Sequence, residues 1–320
     1  KPPNLIFLLT DDHRKDGIGY MGNPLIHTPC LDTMAGEGVA FNNAYVTTSI
    51  CASSRASTLS GQYVCRHGID NFQKTFDEAH FEETYPARLR KAGYTLGFVG
   101  KYGVGQDMPK QAFDSWQGFG GQGRYEQEDA QGNYKHLTQL QEEQAVGFLD
   151  QYGKTGPFCL SVSFKAPHCQ DGDPRQFIYD PQYEPLYQDV EIPRPDHLQD
   201  TFEQRFPAFF KENNEGRRRW ELRFSTPELY QTMVKGYYRL ITGVDHAVGA
   251  IRDRLKALGI DNNTIVIFTG DNGFFLGEHG LAGKWFGYEE SIRVPFIVYD
   301  PRLPGNKRGV RRDDIVLNLD

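Results

Sequence analysis

Residues 4–10, 94–99, 157–164, 264–269 and 294–299 are short runs rich in β-branched, aliphatic and aromatic side chains. They predict buried strands. Between them the period changes. Residues 136–152 and 227–258 repeat apolar side chains at helical spacing, the second being the longest such pattern in the chain. Residues 84–92 read as a helix with Pro86 near its start and Gly93 just past its end. Strands alternating with helices predict an α/β fold, with a mostly parallel central sheet sandwiched by helices.

In such sheets ligands bind outside the carboxyl ends of the strands. Four of the predicted strands stop at reactive-looking groups. The first gives Asp11 and Asp12, the second Lys101, the third His168, and the fourth Asp271 and Asn272. Singly, these read as a helix cap, a solvated lysine, a hydrogen-bonded loop histidine and a turn. Their joint placement on one edge of one sheet predicts a site. Carboxylates plus an amide oxygen suit a hard divalent cation: Ca²⁺, or Mg²⁺ if the cage is tighter. Cys51 opens a helix-like stretch that includes Arg55 and ends at Gly61. A thiolate is a poor ligand for such an ion, so Cys51 is either remote or chemically converted.

At 320 residues the chain can bury a large core. Its net charge of −7 is moderate, and no long basic run suggests nucleic-acid binding. Anionic substrates stay open, since local positive charge can outweigh the global sign. No stretch approaches the roughly 20 apolar residues that span a bilayer. Five cysteines (Cys30, Cys51, Cys65, Cys159 and Cys169) lack metal-finger spacing. Either one is chemically special and the rest structural, or all five are buried small hydrophobes. Residues 170–224 hold many prolines, aromatics and charges with little periodicity, and read as a long excursion over the domain. Residues 118–123 spell G-x-G-x-x-G without following a predicted strand or opening a helix, and read as a glycine-rich loop. Trp116, Tyr125 and Trp220 fit either buried packing or sugar stacking.

The chain resembles the type I sulfatases of the alkaline phosphatase superfamily. The family signature, Cys-x-Pro-x-Arg followed by Thr/Ser-Gly, stands here as Cys51-Ala52-Ser53-Ser54-Arg55 with Ser60-Gly61. The likeness runs from Asn4 through Asp12 and Gly277-Glu278-His279-Gly280 to Lys284 and Arg293-Val294-Pro295. It implies that Cys51 is oxidised to formylglycine by a maturation enzyme and hydrates to a diol. One diol oxygen would then join Asp11, Asp12, Asp271 and Asn272 around calcium. It further implies that Arg55, Lys101 and Lys284 hold the formylglycine or sulfate oxygens, and that His168 is the general acid. The expected substrate is a sulfate ester on a carbohydrate, and the expected location periplasmic or secreted.

Two departures stand out. The family's second-strand motif has a histidine where this chain has Gly103, so His13 or water is a candidate to reset the aldehyde. Ser53 replaces the common proline. The rival readings are a phosphodiesterase or phosphonate monoester hydrolase with the same site, and a degenerate relative that only binds sulfated glycans. Glu289, Glu290 and Arg293 are expected to form an ion-pair cluster, and His279 to fix a loop or line the cleft. Residues 313–320 look like the start of an element. The resemblance makes residues 1–320 a catalytic domain, with a small C-terminal antiparallel subdomain largely missing.

Overall fold

The computed structural model describes residues 1–129, 131–195 and 199–320. The main strands are β1 (Asn4–Asp11), β2 (Val39–Tyr45), β3 (Thr95–Lys101), β4 (Ser115–Phe119), β5 (Phe158–Pro167), β6 (Thr264–Gly270), β7 (Phe296–Tyr299) and β8 (Val310–Leu317). They form one sheet in the order β8-β2-β7-β6-β1-β5-β3-β4. Among the described residues only β7 runs antiparallel to its sheet neighbours. The main helices are α1 (Pro29–Glu37), α2 (Cys51–Ser60), α3 (Tyr85–Lys91), α4 (Leu137–Tyr152), α5 (Glu215–Arg223) and α6 (Pro227–Leu258).

The sheet is covered on both faces, as its apolar strands require. On β1, Ile6 and Leu8 join a core with Phe148 and Leu149 of α4 and Val244 and Ile251 of α6. Leu5 packs on the other face with Leu59 of α2 and Leu89 of α3. That second face also holds a cavity of about 540 Å³, lined by Leu5, Phe7, Ile267 and Phe296. None of the predicted site residues lines it. No described helix is long and apolar enough to cross a membrane.

Strands β2, β4 and β8 escape the hydrophobic reading. β2 carries Asn42 and Asn43, and β8 carries Arg311, Arg312, Asp313 and Asp314. β4 and β8 lie at the sheet edges, where polar side chains reach water. Residues 313–320 therefore include the second half of a strand rather than the start of an element. The excursion also holds more regular structure than its sequence suggests, with helices at Gln199–Arg205, Ala208–Lys211 and Glu215–Arg223. Residues 196–198 lie outside the described part.

Candidate active site

Strand register brings the four predicted clusters side by side. β6, β1, β5 and β3 are consecutive parallel neighbours, with Thr10 opposite Gly270 and Asp11 opposite Pro167. Asp11 and Asp12 thus emerge between Asp271-Asn272 on one side and His168 on the other, with Lys101 one strand further. α2 starts at the same place. Gly61 ends it in the left-handed region (φ 64°), its N–H donating to Ser57 O at 2.8 Å. The positive end of the helix lies at Cys51.

All nine predicted site residues are buried. Cys51 Sγ lies 3.2 Å from Asp11 Oδ1 and accepts from Lys284 Nζ at 2.7 Å. Lys284 also pairs with Asp12, and Lys101 with Asp11. Arg55 Nε donates to Asp271 Oδ2 and its Nη1 to the Lys101 carbonyl, both at 2.8 Å. Asn272 Nδ2 donates to Asp12 Oδ1 at 2.6 Å. His168 Nε2 faces Asp12 Oδ2 at 3.5 Å, while its Nδ1–H donates to the Cys169 carbonyl at 2.5 Å.

Burial would raise Asp11, but Lys101, then His168, Arg55 and Lys284, outweigh it and hold its carboxyl well below the usual range. Burial lifts Asp12 against the pull of Lys284, and burial followed by the Asp11 charge lifts Asp271 to about 6. Burial, with Asp11 beside it, pushes the Cys51 thiol up. An unmodified Cys51 is therefore held as a neutral thiol, which is neither a good nucleophile nor a ligand. His168 is driven well below its ordinary value by burial.

Three carboxylates and an amide oxygen meet where the amide Oδ1 of Asn272 is buried without a hydrogen-bond partner. A buried acceptor left open among carboxylates suits a hard divalent cation. Asp11, Asp12, Cys51 and His168 also fall within metal-ligating distance of one another. The residues fit a cation of this kind, with sulfur the one ill-suited donor.

Several residues at the site carry no sequence signal. Gln122 Oε1, from the glycine-rich loop, accepts from Lys101 Nζ at 2.7 Å. The hydroxyl of Tyr125 donates to the His168 carbonyl at 2.5 Å. Lys165, pushed down to about 8 by burial and then by Lys101, lies over the Tyr125 ring. Arg219 on α5 pairs with Asp171 at 2.9 Å and stacks over Trp285 at 5.0 Å, so the excursion bridges the His168 and Lys284 sides. Each looks ordinary in sequence, because a lone glutamine or tyrosine has no motif around it.

Other expectations change. His13 donates from Nε2 to the Gly17 carbonyl and faces Thr10 Oγ1 with Nδ1, both at 3.1 Å, so neither nitrogen is free for an aldehyde. Gly103 has φ 73°, and a Cβ there would lie 2.7 Å from Arg55 Cδ. The space of the missing histidine is closed by Arg55. Arg293 pairs with Glu289 at 2.9 Å, but Glu290 faces His279 at 3.5 Å instead of joining that pair. Trp116 stacks on Phe98 and Trp220 is buried, so neither is an open sugar platform.

The sulfatase family model matches residues 3–314. The chain belongs to the sulfatase family. It is 28% identical over 382 residues to an N-acetylglucosamine-6-O-sulfatase of Bacteroides thetaiotaomicron, an alignment covering all of this chain and 66% of that protein. It is 29% identical to an ulvan-active sulfatase of Formosa agariphila, covering 95% of this chain and 57% of that one. This sulfatase-family chain thus spans two thirds or less of these relatives. A protein solved in complex with its substrate D-glucosamine-2-N,6-O-disulfate has the same fold, with a TM-score of 0.79 and 26% identity. That match covers all of this chain and 75% of the other.

Proposed function

We propose that this chain is the catalytic domain of a calcium-dependent sulfatase that hydrolyses a sulfate ester on a carbohydrate. The observation that carries the reading is the meeting of Cys51 with Asp11, Lys284 and the carboxylates of Asp12 and Asp271 in one buried pocket. Asp11, Asp12, Asp271 and Asn272 would hold Ca²⁺, which would supply Lewis-acid polarisation of an oxygen on residue 51. Cys51 oxidised to formylglycine by a maturation enzyme supplies, as its hydrate, an oxygen nucleophile in place of sulfur.

The chain's own groups do the rest. Lys101, Lys284 and Arg55 are fixed positive charges in a water-poor pocket, and α2 adds its positive end. Such preorganised groups stabilise charge on sulfuryl oxygens, a single donor being worth about 3 kcal/mol. His168 gives a proton from Nε2 to the leaving alcohol. Its Nδ1–H is committed to the Cys169 carbonyl, which holds the ring in place. Burial keeps the imidazole neutral in the free site, so the second proton arrives with the anionic ester beside it.

The named relatives act on sulfated sugars, which supports a carbohydrate substrate, and such polymers are met in the periplasm or outside the cell. The test compares sulfate and phosphate release from matched aryl esters by calcium-loaded, matured protein. The sulfatase reading expects faster sulfate turnover. Faster phosphate or phosphonate turnover overturns it.

A further inference from the structure

We infer that Tyr237 is a positioning residue for Asp12, setting the backbone that turns this carboxylate into the cation pocket. The inference rests on the reading of Asp11, Asp12, Asp271 and Asn272 as the calcium site. Asp12 has φ 61°, in the left-handed region where an L-residue with a side chain is strained. Such a conformation persists only when its surroundings over-determine it. Here both sides of the residue are held. Its N–H donates to Asp271 Oδ1 at 3.1 Å, and its carbonyl accepts the Tyr237 hydroxyl at 2.7 Å. The same hydroxyl accepts the N–H of Arg14 at 3.2 Å, clamping the two peptides that flank His13.

Tyr237 is itself immobile. It is fully buried on α6, stacks on Phe274 with centroids 5.7 Å apart, and meets Phe177 edge-on at 5.6 Å. The loop it clamps is bolted further along, where Arg14 Nη1 donates to Glu278 Oε1 at 2.7 Å. Glu278 Oε2 in turn accepts the Leu276 N–H at 2.7 Å. One phenol oxygen therefore transmits the rigidity of the longest helix to the turn that carries the Asp12 carboxylate.

The test is calcium titration calorimetry on the full chain, carried out for wild type, Tyr237→Phe and Val244→Ala. Val244 is buried on the same helix seven residues beyond Tyr237, and its aliphatic side chain makes none of the clamp's hydrogen bonds, so its truncation loosens α6 with the clamp's donors and acceptors intact. Removing such an outer partner of a ligand lowers metal affinity about 10-fold to 100-fold in general. We expect Tyr237→Phe to fall in that range and Val244→Ala to bind calcium as wild type does. Equal affinity of Tyr237→Phe and wild type overturns the inference. An equal loss in both variants overturns it too, because general loosening would then be the cause. Wild type that binds no calcium sinks the calcium reading itself, and this inference with it. Should Tyr237→Phe not fold, comparing Arg14→Pro with Arg14→Ala isolates the second N–H clamped by the same hydroxyl from the loss of the guanidinium, and equal affinity of those two variants overturns the inference.

Discussion

Gly103 shows most clearly how single residues decide this site. It takes φ 73° and leaves room for Arg55, which ties Asp271 to the end of β3. Gly103→Ala is expected to lower stability by about 1 kcal/mol from backbone strain and to cut turnover about tenfold by displacing Arg55. Gly68 has nearly the same φ, 72°, but nothing near its missing Cβ, so Gly68→Ala should show the strain alone. Melting temperatures and sulfate release separate the two, and equal turnover in both variants would contradict the role given to Gly103. Asp11, Asp12, Lys101, His168 and Asp271 were legible in sequence because each stands where an apolar strand run stops, whereas Arg55 and Lys284 were legible only through the family motifs. Gln122, Tyr125 and Tyr237 were not, since their roles depend on contacts made across 21, 43 and 225 positions.

At the scale of elements, helices end where their chemistry says they should, and one contact between them titrates. Asp245 on α6 accepts the N–H groups of Leu31 at 2.7 Å and Cys30 at 3.2 Å, capping α1 from outside. Burial lifts its carboxyl to about 6, even though those two N–H groups pull it down. The folded state therefore keeps this proton up to about pH 6, while an unfolded chain loses it near pH 4. Its contribution to stability is full below about pH 4 and is lost as pH rises through 6. Asp245→Asn removes that step. The stability of the variant minus that of wild type should rise between pH 4 and 6 and stay level above, as followed by thermal melts; a level difference throughout would refute the assignment. The five apolar strands were readable because their side chains are apolar on both sides of the sheet, β5 being buried throughout. The edge strands β4 and β8 were not, because water tolerates any side chain there.

The whole molecule is built on a mostly parallel sheet that gathers distant, individually ordinary groups at the carboxyl ends of its strands. The strand order, with α2 beginning at the same place, brings residues 11, 51, 101, 168, 271 and 284 within a few side chains of one another. What the apolar pattern could not supply was the chemical state of residue 51, because the letter Cys is the same whether or not the side chain is modified after synthesis. Burial holds that thiol neutral, so the pocket as a cysteine protein has charge stabilisation but no nucleophile. Peptide mass spectrometry at residue 51, on the same preparations assayed for sulfate release, addresses this most directly. The account predicts that activity rises in proportion to the fraction carrying the aldehyde and is lost in Cys51→Ala. Full sulfate release from protein whose residue 51 is an unmodified thiol would contradict it.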